Sequence, residues 1–181
     1  MDVSIAVPLY NEEDSILILH NRLNKVMLEL NTAYEIIYVN DGSSDRTGVI
    51  LDQIATSERN VLAVHFRRNF GQTSAMMAAI QKTKGEIVVT LDGDLQNDPA
   101  DIPKLIGKIK EDYDVVSGWR KDRKEGIIRR WPSIVANWLV SRVTGVQLHD
   151  YGCTLKAYRG DMLRKIRLYG EMHRFIPIYA M

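Results

Sequence analysis

The strongest constraint on this chain is an alternation. Four apolar runs rich in β-formers, "VSIAVPLY" (3–10), "YEIIYVND" (34–41), "VLAVHF" (61–66) and "EIVVTL" (86–91), are separated by segments of helical periodicity. Residues 12–31 place Ile16, Leu19, Leu23, Val26, Met27 and Leu30 at helical spacing, and their acidic start favours a helix N-terminus. "DRTGVILDQIATS" (45–57) predicts a second helix with Asp45 as N-cap, "GQTSAMMAAIQKT" (71–83) a third and residues 100–112 a fourth. "YDVVSGW" (113–119) reads as a fifth strand. This order predicts an α/β protein with a mostly parallel central sheet and helices on both faces.

Parallel sheets of this kind bind ligands at the carboxyl ends of their strands. Each of the four runs is followed by a polar cluster: "NEED", "NDGSSD", "RRNFGQ" and "DGDLQND". The four clusters are therefore expected on one rim. After residue 119 the pattern weakens. "RKDRKEG" (120–126) reads as an exposed basic loop, "IIRRWPSIVANWLVSRVTG" (127–145) as an amphipathic helix, and "TLKAYRG" (154–160) as a short strand and turn.

A length of 181 residues suits one domain with a real core. The single cysteine, Cys153, excludes a disulfide framework and a cysteine zinc site, and is expected to pack as a small buried hydrophobe. It also points to a reducing compartment. The start "MDVSIAVPLYNEED" has no basic leader, so no signal peptide is expected, and no apolar run approaches the roughly 18 residues of a membrane span. Charge is uneven. Residues 119–181 hold 13 Lys or Arg against 5 Asp or Glu, whereas residues 1–118 hold 11 against 18. An acidic half suits a metal and a basic half suits phosphate or an anionic membrane surface. Solvated faces charged unevenly by chance would give the same counts.

The run at 86–91 ends in two aspartates one residue apart. Like charges that close raise each other's pKa unless a cation lies between them. In an extended segment Asp92, Asp94 and Gln96 form one row of oxygens, which suits a hard divalent cation. A calcium EF-hand needs Gly at loop position six and Glu at twelve, where Asn97 and Pro103 stand here. A turn held by Asx side chains is the structural alternative. Neither the dinucleotide signature G-x-G-x-x-G nor the P-loop signature occurs, which argues against a dehydrogenase or a P-loop NTPase.

"VPLYNEE", "VNDGSSDRT", "RNFGQTSAMMAAI", "GEIVVTLDGDLQNDP", "DYGCTLKAYR" and "HRFIPIYA" together resemble the family 2 (GT-A fold) glycosyltransferases, and within them the polyprenyl-phosphate sugar transferases. The resemblance spans nearly the whole chain. It implies a GT-A, Rossmann-like fold and one catalytic domain over 1–181, with a nucleotide-sugar and metal half (1–118) and a basic acceptor-side half (119–181). It implies that Pro8, Tyr10, Glu12, Asp41 and Asp92 line the nucleotide pocket, with the Asp41 carboxylate accepting from the base. Asp94 and Gln96 would hold Mg²⁺ or Mn²⁺ against the diphosphate, with Asp92 as a third ligand. Arg120 and Arg130 would contact the acceptor phosphate, with His173 and Arg174 nearby, because arginine forks grip phosphate bidentately. Asp150 matches a carboxylate of catalytic standing, either a base or an orienting group. From the residues alone, Arg129 and Arg130 read equally as a solvated helix face, His173 as a packed histidine, and Trp131 and Trp138 as helix core.

The function implied is inverting transfer of a hexose-type sugar from a UDP- or GDP-sugar to a polyprenyl phosphate at the cytoplasmic membrane face. The implied partners are the nucleotide-sugar donor, the lipid acceptor and the membrane surface, without nucleic acid; a homo-oligomer stays open. Many relatives continue into C-terminal transmembrane helices, whereas this chain stops at "FIPIYAM". Two expectations stay open: a catalytic domain cut from a membrane-anchored full-length protein, or a natural form that attaches peripherally. A family 2 transferase acting on a saccharide hydroxyl and a non-catalytic nucleotide-sugar-binding module are the alternatives.

Overall fold

The computed structural model describes residues 1–119, 152–167, 170 and 176–179. The expected basic loop at 120–126 and amphipathic helix at 127–145 lie outside the described residues. So do Arg120, Arg130, Asp150, His173 and Arg174.

Six strands form one sheet: β1 (Val3–Leu9), β2 (Tyr34–Asn40), β3 (Val61–His65), β4 (Ile87–Thr90), β5 (Val115–Ser117) and β6 (Lys156–Arg159). Their order is β3-β2-β1-β4-β6-β5. β1 pairs in parallel with β2 and β4, and β2 with β3. β6 lies antiparallel between β4 and β5. The chain winds outward from β1 to β2 and β3, then crosses back to place β4 on the other side of β1. The strand order therefore reverses between β1 and β4, which is where such sheets open a ligand crevice.

All seven residues of β1 are buried, as expected of a central strand covered on both faces. Alternation divides its side chains between two layers. Val3, Ile5, Val7 and Leu9 pack with α1 (Ile16–Glu29), α2 (Thr47–Ser57) and α4 (Ile102–Lys110), through residues such as Leu19, Leu23, Leu51 and Ile106. Ala6 faces the other way, toward Ala75, Met76, Ala79 and Ile80 of α3 (Gln72–Lys82). The short helices α5 (Gly160–Leu163) and α6 (Ile176–Tyr179) add Leu163 and Ile176 to that second layer. Cys153 is buried, as expected of a small hydrophobe.

Two boundaries differ from expectation. The first helix starts at Ile16, and its acidic run stays outside it. Those residues have other partners: Glu12 N–H donates to Thr47 Oγ1 at 2.8 Å, Glu13 N–H to Asp45 Oδ2 at 3.1 Å, and Arg46 N–H to Glu13 Oε2 at 2.9 Å. These bonds tie the loop after β1 to the loop after β2. The N-cap of α2 is Arg46, not Asp45 as expected, although Asp45 Oδ1 accepts from Thr47 N–H at 3.0 Å just ahead of the helix. The fourth helix is preceded by a 3₁₀ turn, Pro99–Asp101, whose Ala100 N–H donates to Asp98 Oδ1 at 3.0 Å.

Candidate functional site

The carboxyl ends of β1 to β4 surround a cleft of about 320 Å³. Pro8, Leu9, Tyr10 and Glu12 line it from the end of β1, and Asp41 from the end of β2. Asn69, Gly71, Gln72 and Ala75 come from the β3–α3 junction, and Asp92, Gly93 and Asp94 follow β4. The four polar clusters thus share one rim, as the alternating pattern predicts. Tyr10 stands half exposed at the lip.

Asp41 is buried, and its carboxylate organises the far wall. Phe70 N–H donates to Oδ1 at 2.7 Å and Gly71 N–H to Oδ2 at 2.9 Å. Each oxygen keeps a second lone pair. The two loops meet closely here. A Cβ on Gly42, whose φ is +65°, would stand 2.3 Å from the Arg68 carbonyl carbon. Only glycine permits both that backbone and that approach.

Asp92, just after β4, is held from α3. Gln72 Nε2 donates to its Oδ1 at 2.6 Å. Burial and then the neighbouring Asp94 charge push its carboxyl above the usual carboxylate range. The bonds from Thr154 and Gln72 and the Lys156 ammonium pull the other way. Lys156 itself is buried on β6, and its ammonium donates to the Cys153 carbonyl.

The row of three oxygens expected from alternation is not formed. Leu95 has φ +61°, and Gln96 N–H donates to Asp94 Oδ1 at 3.0 Å, so the segment turns instead of extending. Leu95 packs its side chain against the core, which holds it in a conformation unusual for a bulky residue. Asp92 and Asp94 line the cleft, but Gln96 is not among the lining residues. The turn held by an Asx side chain therefore describes the local backbone, and two carboxylates remain as the oxygen donors. Among the described residues no group of three or more His, Cys, Asp or Glu forms a metal-holding cluster. A pair of hard carboxylates, one raised by burial and then by its neighbour's charge, nevertheless fits a divalent cation that completes its shell with substrate oxygens and water.

Gln72, Asn69, Thr154 and Lys156 were not singled out from the sequence. Gln72 sat in plain view inside "RRNFGQ". Nothing in "TLKAYRG" signals that an antiparallel strand would carry Thr154 and Lys156 to the end of β4.

Two solved structures share this fold. S. aureus TarS (residues 1–349) superposes with a TM-score of 0.65 at 20% identity, covering 99% of this chain and 55% of that one. Glucosyl-3-phosphoglycerate synthase from Mycobacterium tuberculosis, in complex with Mn²⁺, UDP and phosphoglyceric acid, gives a TM-score of 0.67 at 21% identity, covering 90% and 57%. With them, the sheet order and the crevice between β1 and β4 place the molecule in the GT-A class of α/β folds. The chain belongs to glycosyl transferase family 2, whose family model matches residues 4–167. Among curated relatives, dodecaprenyl-phosphate galacturonate synthase of Rhizobium johnstonii is 45% identical over 99% of this chain and 54% of its own length. Undecaprenyl-phosphate 4-deoxy-4-formamido-L-arabinose transferase of Pseudomonas aeruginosa is 44% identical over 98% and 53%. The chain thus spans about half the length of these relatives.

Proposed function

We propose that this chain is the catalytic domain of a transferase that moves a sugar from a nucleoside diphosphate to a polyprenyl phosphate. The observation that carries this reading is the placement of Asp92 and Asp94 in one cleft with Tyr10 and Asp41, in a chain 45% identical to a polyprenyl-phosphate sugar transferase. Residues 1–118 form the donor half and residues 119–181 the acceptor half.

In this reading the donor lies in the switch-point cleft with its base toward Tyr10 and Asp41. Tyr10 offers an exposed ring for stacking, and Asp41 keeps lone pairs for a base N–H. Asp94 and the gripped Asp92 hold Mg²⁺ or Mn²⁺, with Gln96 as a further ligand only if its side chain turns in. When bound, the cation offsets the charge that develops on the departing diphosphate. A lipid phosphate oxygen attacks the anomeric carbon from the face opposite the diphosphate. One C–O bond forms, the bond to the diphosphate oxygen breaks, and the anomeric centre inverts. The products are a lipid phosphosugar and a nucleoside diphosphate. A phosphate monoester is ionised near neutral pH, so Asp150 orients groups and need not take a proton. Arg120, Arg130, His173 and Arg174 receive the acceptor phosphate, and the basic segment meets the anionic cytoplasmic face of the membrane. Among the described residues no helix is long and apolar enough to cross a membrane.

The test is a screen of UDP- and GDP-sugars with undecaprenyl phosphate in Mg²⁺ or Mn²⁺, reading lipid-linked product. Asp94→Ala should remove metal-dependent donor binding while the domain stays folded. Product formed only on a soluble saccharide, with Asp150→Asn abolishing it, would replace the lipid acceptor by a hydroxyl. Nucleotide binding without turnover on any acceptor would reduce the chain to a binding module.

A further inference from the structure

We infer that Thr154 and Gln72 are positioning residues that grip the Asp92 carboxylate from the segment before β6 and from α3 and thereby set metal-dependent nucleotide binding. The inference rests on reading the cleft as a metal and nucleotide site.

The grip on the β6 side is one end of a directional chain of hydrogen bonds. Cys153 Sγ lies 3.4 Å from Asn97 Oδ1 and 3.7 Å from the Leu155 carbonyl, and its one proton serves either; a bond to Asn97 turns the oxygen of that buried amide toward the thiol. Asn97 Nδ2 therefore faces Thr154 and donates to its Oγ1 at 3.0 Å. A hydroxyl has one proton to give. With Oγ1 already accepting from Asn97, that proton is left for the Asp92 carboxylate, whose charged form this hydroxyl favours. The Thr154 backbone is pinned too, since Thr90 Oγ1 donates to its carbonyl at 2.9 Å. With the thiol bonded to Asn97, the order Cys153–Asn97–Thr154 runs toward Asp92.

The grip on the α3 side is equally fixed. Asp41 holds Gly71 N–H, and the next residue, Gln72, opens α3 and donates from Nε2 to Asp92 Oδ1 at 2.6 Å. Asp92 is therefore held between α3 and the segment before β6, and it lines the cleft. Asp94, by contrast, is exposed and accepts from Gln96 N–H of its own turn. Of the two carboxylates Asp92 is the pre-oriented one. Partners that orient a metal-site carboxylate typically change metal affinity by about 10- to 100-fold when removed.

The experiment measures UDP and GDP affinity by calorimetry, with Mn²⁺ and with EDTA, for the whole chain. The ratio of the two affinities isolates the metal-dependent part. Thr154→Val keeps the side-chain shape and removes the hydroxyl. It should lower that ratio by about 10-fold while the EDTA affinity stays at the wild-type value. Thr154→Ser should restore it. Gln72→Met, on the other side of the carboxylate, should lower the ratio independently, and the double variant should lose less than the product of the two single losses, because both act through one group. A wild-type ratio in Thr154→Val or Gln72→Met overturns the inference. So does an equal fall of both affinities, or failure of Thr154→Ser to restore the ratio. If the wild-type chain binds neither nucleotide in a Mn²⁺-dependent way, the reading of the cleft falls and this inference with it.

Discussion

Asp41, at the end of β2, holds Gly71 at the threshold of α3 through a 2.9 Å bond from the Gly71 amide. With the Phe70 amide on its other oxygen at 2.7 Å, the carboxylate fastens the third polar cluster of the rim to the second. An amide in its place has only one acceptor oxygen. Asp41→Asn should therefore leave one buried N–H facing an NH₂ group and destabilise the chain by about 1–3 kcal/mol. Urea denaturation measures this. Unchanged stability in Asp41→Asn would mean that the neighbouring loop does not depend on this carboxylate.

Asp92 should cost the unliganded fold stability at neutral pH. Its folded-state pKa is raised, first by burial and then by Asp94. A raised carboxyl binds its proton more tightly in the folded than in the unfolded chain, so its contribution is most favourable below the unfolded value and is lost as pH rises through the folded one. Asp92→Asn should accordingly melt at a higher temperature than wild type at pH 7 in EDTA, while losing Mn²⁺-dependent nucleotide binding. A lower melting temperature would contradict the assigned balance of forces.

Glu58 should behave in the opposite sense. Burial raises its carboxyl, but hydrogen bonds from His20 and Asn24 outweigh that and hold it below the usual carboxylate range. His20 Nε2 lies 2.8 Å from Glu58 Oε1, and His20 Nδ1 lies 3.1 Å from the Tyr38 hydroxyl, joining α1, α2 and β2. The stability this carboxylate adds is present above its unfolded pKa and fades as pH falls through its folded one. Denaturation between pH 7 and pH 3 should show a shallower loss for Glu58→Gln than for wild type. Asp2 and Asp45, also lowered, should keep some slope in the variant.

Two glycines should respond oppositely to alanine. At Gly42 the new Cβ would meet Arg68 backbone at 2.3 Å with φ +65°, so neither the contact nor the conformation can relax cheaply. Gly42→Ala should destabilise by more than about 1 kcal/mol. Gly107, exposed within α4, has nothing within 4 Å of such an atom. Gly107→Ala should stabilise by about 0.4–1 kcal/mol, because alanine loses less backbone freedom on entering the helix. Thermal melting of the pair checks both signs.

Taken alone, the sequence determined the α/β class, the four parallel strands and the rim on which Pro8, Tyr10, Glu12, Asp41, Asp92 and Asp94 gather. Those features follow from apolar periodicity and from polar residues at strand ends, which are local and periodic along the chain. Local pattern misjudged what depends on distant partners. The acidic run at Glu12 to Asp14 resembled a helix start, yet Glu12 and Glu13 give their amides to Thr47 and Asp45. The Asp92–Gln96 row needed an extended backbone, and Leu95 turns out of it to reach the core. Only the tertiary structure decided that β6 runs antiparallel beside β4 and that Gln72 meets Asp92. Strand pairing and side-chain polarity across 60 to 80 residues of chain leave no periodic trace, because each is fixed by which surfaces meet after the chain has folded.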